Sequence, residues 1–360
     1  MNEREYLVCL CAFTPFGPAR INLLISYFES AEKVWNASKS KLLEVGLKER
    51  IAGEFVNHRK NFDSKKYFKK LKEKQIKFVS LKDANYPENL RGISDAPSIL
   101  YYIGELKKSD KNAVAIVGSR KMSGYGREVA DKFATELSIM GITIVSGLAL
   151  GIDAVAHKAC VEAGGRGIVV LASGLDTISP LTNRWIALEI VKKGGAIISE
   201  YPLGQTPQRT FFPSRNRIIS GLSKAVIVVE GLRKSGTLLT ASAAAEQGRT
   251  VFAVPGYITS PLSAAPHFLI QNGSKLITST QDILEELDMQ LKVDFEEVEK
   301  IMPENEMEEK LLEIIGKEPL HLDEVARISS LKASDVSTIL TFMELKGMVK
   351  NMGGGVYKKV

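Results

Sequence analysis

The stretch Phe211-Phe212-Pro213-Ser214-Arg215-Asn216-Arg217-Ile218-Ile219-Ser220-Gly221 gathers residues able to hold an anion beside a flat ring. Arginine presents a planar fork of donors that suits phosphate oxygens. An exposed phenylalanine offers a face on which a nucleobase stacks. Read as one short loop, the stretch has what an unpaired polynucleotide requires. A plainer reading fits the same residues: Phe211 and Phe212 cap a core, and the arginines make surface ion pairs. The stretch alone leaves both open.

Other anion-receptive turns recur along the chain. Gly118-Ser119-Arg120 is followed by Ser123-Gly124-Tyr125-Gly126, Ser146-Gly147 by Gly151-Ile152-Asp153, and Glu230 by Ser235-Gly236-Thr237. Glycine lets a backbone approach an anion, and a helix starting there turns its free N–H groups toward negative charge. Two sets of residues invite a proton-transfer reading. Asp153 and His157 lie four apart on an expected helix and share a face, but no nucleophile or metal cluster accompanies them, which favours a structural role. Glu230 ends an expected strand and reads as an ion-pair brace that orients the arginines. The chain has no G-x-x-x-x-G-K-[ST], and Gly124-Tyr125-Gly126 lacks the third glycine of a dinucleotide fingerprint, which argues against the common nucleotide folds.

These turns need elements to hold them. Continuous apolar, β-branched runs occur at Ala113–Val117, Thr143–Val145, Gly167–Leu171, Ala196–Ile198, Ala225–Val229, Thr250–Val254 and Lys275–Ile277. Such runs suit strands buried on both faces. Helical segments separate them, among them Tyr125–Met140, Ile152–Ala163 and Leu238–Gln247. The alternation predicts a doubly wound, mostly parallel α/β sheet of extended Rossmann-like type over residues 81–285. In such sheets ligands bind at the carboxyl ends of the strands, so the glycine turns share one anion-binding rim.

Residues 1–80 read as an all-α domain. Ile21–Phe28 has helical spacing, and the turns at Thr14–Pro18 and Val45–Leu47 allow a helix-hairpin-helix or SAM-like unit. Residues 304–360 predict helices at Met307–Gly316, Leu322–Ser329 and Ser334–Lys346, then a hairpin around Gly353-Gly354-Gly355: a C-terminal winged helix. Its third helix carries Asp335, Glu344 and Lys346 and no arginine. A groove reader needs cations and base-reading donors, so this module reads as a protein-contact domain.

The chain has 360 residues, 44% hydrophobic and 25% charged, with a net charge of +6. That length calls for two or three cores. No apolar run approaches the roughly 18 residues of a membrane span, and Met-Asn-Glu-Arg-Glu lacks a signal-peptide core. The three cysteines, without C-x-x-C spacing, fit a reducing cytoplasm, and four scattered histidines give no zinc pattern. Between His58 and Lys77 nine Lys/Arg face only Asp63 and Glu73; this block reads as a solvated helix face, with polyanion binding as the alternative. Between Ile283 and Glu313 twelve acids face three lysines, as in an acidic linker, placed at 286–303.

The motifs together resemble the DprA/Smf family of DNA-processing proteins. The resemblance rests on Gly118-Ser119-Arg120, Ser146-Gly147 to Gly151-Ile152-Asp153 with Ala156-His157, Phe212-Pro213-x-Arg215-Asn216-Arg217-Ile218-Ile219-Ser220-Gly221, and Ser235-Gly236-Thr237-Leu238 to Gln247-Gly248-Arg249 with Pro255-Gly256. It runs from Tyr86-Pro87 to Ile277, roughly half the chain. It implies a cytoplasmic bacterial homodimer that binds single-stranded DNA, loads the RecA recombinase onto it in natural transformation, and has no enzymatic activity or cofactor. Carried onto this chain, Arg120 grips phosphate beside the backbone donors of Gly118 and Ser119. Arg209 contacts the strand, Phe212 stacks on or wedges beside a base, Arg215 and Arg217 flank the pocket around Asn216, and Ser235, Gly236 and Thr237 face the same rim. Where the family shows Gly-x-Asn, Gly-Ala and Tyr, this chain has Ala265 with His267, Gly273-Ser274 and Ser179.

The rival is an N-glycoside hydrolase of the lysine-decarboxylase-like group, or another nucleotide-binding enzyme on a similar sheet. Those hydrolases resemble one another in P-G-G-x-G-T-x-x-E. Here Arg233–Thr240 takes that place, and Thr240 stands where their glutamate acts.

Overall fold

A computed structural model describes residues 1–287, 306–316, 319–345 and 348–359. The chain divides into two compact units, Met1–Leu291 and Lys292–Val360.

The first unit is built on nine strands: β1 (Lys77–Ser80), β2 (Ile99–Gly104), β3 (Val114–Val117), β4 (Ile144–Ser146), β5 (Gly167–Val170), β6 (Ala196–Ser199), β7 (Ala225–Val228), β8 (Thr250–Ala253) and β9 (Lys275–Leu276). Their order across the sheet is β1-β2-β6-β5-β4-β3-β7-β8-β9. From β6 to β9 every pairing is parallel. The seven runs read as strands are all present in this parallel part. The antiparallel edge formed by β1, β2 and β6 was not anticipated.

The helices of this unit are α1 (Glu3–Cys11), α2 (Pro18–Phe28), α3 (Ala31–Asn36), α4 (Lys39–Glu44), α5 (Glu49–Asn61), α6 (Ser64–Glu73), α7 (Glu88–Arg91), α8 (Gly124–Ile139), α9 (Ile152–Glu162), α10 (Arg184–Lys192), α11 (Phe211–Leu222), α12 (Gly236–Glu246), α13 (Ala264–Gln271) and α14 (Thr280–Glu286). The two faces of the sheet bury alternate residues of each strand, as the period of two requires. Ala115, Val117, Val226 and Val228 pack with Leu90, Ile218, Leu222 and Ala244 on one face. Val114, Ile116, Ala225 and Ile227 pack with Phe133, Leu137, Ile152 and Cys160 on the other. Strands covered on both sides carry no polar alternation, which is why they read as unbroken apolar runs.

Residues 1–80 do not stand apart. Phe16, Leu24, Val34, Leu42 and Phe55 form a helical core of their own. Val8, Tyr67, Leu71 and Ile76, however, join a shared core with Tyr101, Val169, Ile186 and Ile197 of the sheet layer. Tyr67 and Leu71, the buried residues of α6, enter this shared core, and the Tyr67 hydroxyl donates to that of Tyr101 at 3.3 Å. The boundary expected at residue 80 therefore cuts through one compact unit. The opposite face of α6 leaves Lys65, Lys66, Lys69, Lys70 and Lys72 exposed, a solvated basic face.

The second unit holds α15 (Glu306–Ile315), β10 (Leu320–His321), α16 (Leu322–Ser329), α17 (Ala333–Leu345), β11 (Val349–Gly353) and β12 (Val356–Lys359). Its strands pair antiparallel in the order β10-β12-β11. Leu311, Ile315, Val325, Val336, Leu340 and Tyr357 make its core. This is the three-helix and hairpin arrangement of a winged helix. The stretch read as an acidic linker lies mostly outside the described residues.

Candidate nucleic-acid interface

Strands β5, β4, β3 and β7 are adjacent and parallel, so their following loops emerge along one edge of the sheet. Helices α9 and α12 begin directly at that edge, after β4 and β7. At the head of α12, Ser235 takes the N-cap position without capping. The first N–H groups of that helix, at Gly236 and Thr237, lack intrahelical acceptors and open toward the edge. The β4–α9 turn lies tight against the β3 loop. Gly151, at φ +80°, sits where a Cβ would strike the backbone of Ser119 and Arg120.

The aromatic–arginine stretch is not a loop. It is the first two turns of α11. Pro213 is tolerated there because first-turn N–H groups have no helical partner. A step of 100° per residue then sorts the side chains. Phe212, Arg215 and Asn216 fall on the face toward the rim, whereas Arg217 is turned well over 90° away from that face. Arg217 lies against Asp95 at 3.2 Å and pairs with Glu200 through Nη2, both away from the rim. The expectation that Arg215 and Arg217 flank one pocket fails for this helical reason.

The other ten expected residues do converge. Gly118, Ser119, Arg120, Arg209, Phe212, Arg215, Asn216, Ser235, Gly236 and Thr237 all line one open cavity of about 780 Å³. Arg120 and Arg209 are exposed. The Arg120 guanidinium sits 5.1 Å from the Phe212 ring centroid, near enough for a cation–π contact that steadies both groups. The Ser119 hydroxyl is occupied locally, donating to the Lys121 carbonyl at 2.9 Å. Lys121 also lines the cavity. It is a further cation that the sequence reading passed over, although it directly follows Arg120.

Arg215 has a different task. It is 4% exposed. Its Nη1 donates to the carbonyls of Gly147 and Val170, each at 2.6 Å, and its Nε donates to Asn216 Oδ1 at 3.2 Å. The guanidinium occupies the space a Cβ on Gly147 would take. Burial lowers its pKa to about 10, with Asp153 opposing the fall, so the group stays charged at neutral pH. Asp153 is buried and accepts from the Gly147 N–H at 3.1 Å. Burial raises its pKa, opposed chiefly by Arg215. Between them the two groups satisfy both the carbonyl and the N–H of Gly147 and so hold the β4–α9 turn.

His157 is fully buried, and burial pushes its pKa down to about 4. It is a neutral core residue at physiological pH. Glu230 does not brace arginines. Its Oε2 accepts from the Ser123 N–H at 3.0 Å, its Oε1 accepts from the Ser123 hydroxyl, and the carboxylate packs on Gly126. It fixes the start of α8, where Ser123 is the cap. Thr240, at the position of the hydrolase glutamate, is buried and has its hydroxyl over the Gly236 carbonyl. Among the described residues no three His, Cys, Asp or Glu side chains cluster as metal ligands, and no helix is long and apolar enough to cross a membrane.

A Rossmann-like sheet with this glycine rim, followed by a winged helix, is the combination that the comparisons with known proteins return. Residues 77–288 match the family model of DNA recombination-mediator protein A, and residues 297–355 match the DprA winged helix domain. Protein Smf of Escherichia coli is 39% identical over 87% of this chain and 85% of its own length. The DNA processing protein DprA of Bacillus subtilis is 44% identical over 60% of this chain and 73% of its own. The chain belongs to the DprA/Smf family of DNA-processing, recombination-mediator proteins. Among solved structures, DprA of Streptococcus pneumoniae superposes with a TM-score of 0.68 at 35% identity, covering 79% of this chain and 99% of that one. DNA processing protein A of Helicobacter pylori, solved to describe its single-stranded DNA binding mode, gives 0.53 at 28% identity over 59% and 95%.

Proposed function

We propose that the rim binds single-stranded DNA, and that the protein acts without catalysis by passing that strand to a RecA-type recombinase. One observation carries this reading: an exposed arginine lies over an accessible phenylalanine, in the same cavity as the open N–H groups of a helix N-terminus. Phosphate takes the cations and N–H groups, and an unpaired base takes the ring. A duplex keeps its bases stacked inside and cannot use Phe212, so the site selects single strands. The carboxylates at the rim are committed to holding backbone, Asp153 to Gly147 and Glu230 to Ser123. That supports binding rather than hydrolysis. The Helicobacter pylori relative supports the ligand class. A homodimer, a cytoplasmic setting, a role in transformation and a protein-contact role for the winged helix complete the proposal.

The test is a gel shift with matched single- and double-stranded oligonucleotides. Arg120→Glu should abolish most single-strand binding while the protein stays folded by circular dichroism. Undiminished binding by the folded variant sinks the proposal. RecA transfer is tested separately, by strand exchange on DNA precoated with single-strand-binding protein. Release of free base from a nucleoside monophosphate would instead revive the hydrolase reading.

A further inference from the structure

Beyond the cavity that holds Phe212, the sheet edge continues in one direction with another exposed aromatic and another exposed cation. A smaller cavity of about 150 Å³ shares Arg120, Phe212 and Arg215 with the first and extends to Leu150, Ser173 and Pro180. Past it, the chain after β5 makes a 3-10 turn at Leu181–Asn183 and enters α10. Asn183 ties this segment to the glycine turn by donating to the Leu148 and Ala149 carbonyls, at 2.9 and 3.3 Å. What the segment presents outward is apolar. Leu181 is 80% exposed, Trp185 50% and Leu188 42%, at helical spacing, with Leu150 50% exposed on the neighbouring turn. Arg184, which precedes Trp185 in the chain, is exposed and has no acidic partner among the described residues. Glu189, the acid on the same helix, pairs with Lys192.

We propose that Trp185 and Arg184 form a second stacking and phosphate-binding platform for the same single strand, on the β5 side of the rim. This rests on the rim binding single-stranded DNA. The strand order fixes the path: Ser235–Thr237 after β7, Arg120 after β3, Leu150 after β4, Trp185 after β5. With strands ~4.8 Å apart, the edge from β3 to β5 covers ~10 Å, so a strand seated on Phe212 meets this platform as it continues. Arg184 and Trp185 put an exposed cation and an exposed aromatic ring at the head of α10, the two residue types that the rim combines in Arg120 and Phe212. An exposed cation among the apolar groups, together with an edge that continues from the rim as far as Leu150 and Pro180 and is tied to this segment by Asn183, selects the polynucleotide over a protein as occupant.

The chain has two tryptophans. The other, Trp35, packs against Phe55 in the helical core, so in a Trp35→Phe background the emission reports on Trp185 alone. Titration with oligothymidylates of about 4 and about 16 nucleotides, the bounds of a usual footprint, should quench that emission with the long one only, while anisotropy of a labelled strand reports binding of both. Trp185→Ala should weaken the long oligonucleotide by about 5- to 100-fold and leave the short one unchanged, and Trp185→Phe should restore most of the loss. Arg184→Ala should lower the slope of log affinity against log salt by about 0.7 for the long strand. Saturated binding with unchanged emission, or a Trp185→Ala protein that holds the long strand as tightly as the parent does, overturns the platform and leaves the rim standing. Loss of self-association by Trp185→Ala with intact DNA binding overturns it in favour of a protein contact. Failure of the parent protein to bind either length removes the rim and the platform together.

Discussion

Arg120 and Arg215 lie in the same cavity and are expected to fail in opposite ways. Arg215→Ala deletes a buried cation that satisfies two backbone carbonyls at 2.6 Å and stands against a buried Asp153. A hydrogen bond from a charged donor contributes about 1.5–3 kcal/mol, so losing two of them costs about 3–6 kcal/mol. The larger figure is a third or more of the roughly 5–15 kcal/mol that holds an ordinary domain together. With a urea dependence of about 3 kcal/mol per molar, the unfolding midpoint should fall by about 1–2 M. Arg120→Ala removes an exposed side chain and should move the midpoint by less than about 0.2 M, in line with the ~0.5 kcal/mol typical of surface substitutions. Its effect belongs to affinity, about 10- to 100-fold for a charge-assisted phosphate contact. The assay pairs urea unfolding followed by circular dichroism with anisotropy of a labelled single strand, on both variants and the parent. An Arg215→Ala protein that unfolds at the parent midpoint yet loses DNA would refute the reasoning, because Arg215 would then act on the ligand and not on the turn.

Gly147→Ala places a methyl where the Arg215 guanidinium lies; thermal unfolding should show a loss of about 1–3 kcal/mol, as for other overpacked cores, and anisotropy a loss of DNA affinity. Arg217→Ala strips Glu200 of its partner and should destabilise by about 3–5 kcal/mol, yet single-strand affinity of the folded fraction should match the parent, since Arg217 faces away from the rim. His157 has its pKa lowered by burial to about 4, so the unfolded chain takes up a proton that the folded one refuses. Its contribution is therefore complete above about pH 6.5 and is lost as pH falls toward 4, at up to about 1.4 kcal/mol per pH unit; His157→Leu should flatten the fall in stability measured between pH 6.5 and 5.

The parallel core was legible because strands roofed on both faces lose their polar alternation, and the same holds for the turns at their ends. The pairing of Arg215 with Arg217 was misread because Pro213 suggests a loop, and only the helical phase of α11 shows that residues two apart diverge. Glu230 was assigned to the arginines because its actual partner, Ser123, lies 107 positions away. The fusion of residues 1–80 with the sheet was hidden for a related reason. Tyr67 and Leu71 advertise an apolar stripe, but nothing local says that it is buried by β2 and not by another helix. Lys121 and Trp185 were overlooked as ordinary surface residues, since spacing alone does not tell which exposed side chains lie along one sheet edge.

The most direct test is a structure of the protein with a short oligothymidylate. A thymine face on Phe212, with phosphates at Arg120 and at the Gly236 and Thr237 N–H groups, is the expected result. A strand lying on the lysine face of α6 or on the winged helix, with the rim empty, would contradict it.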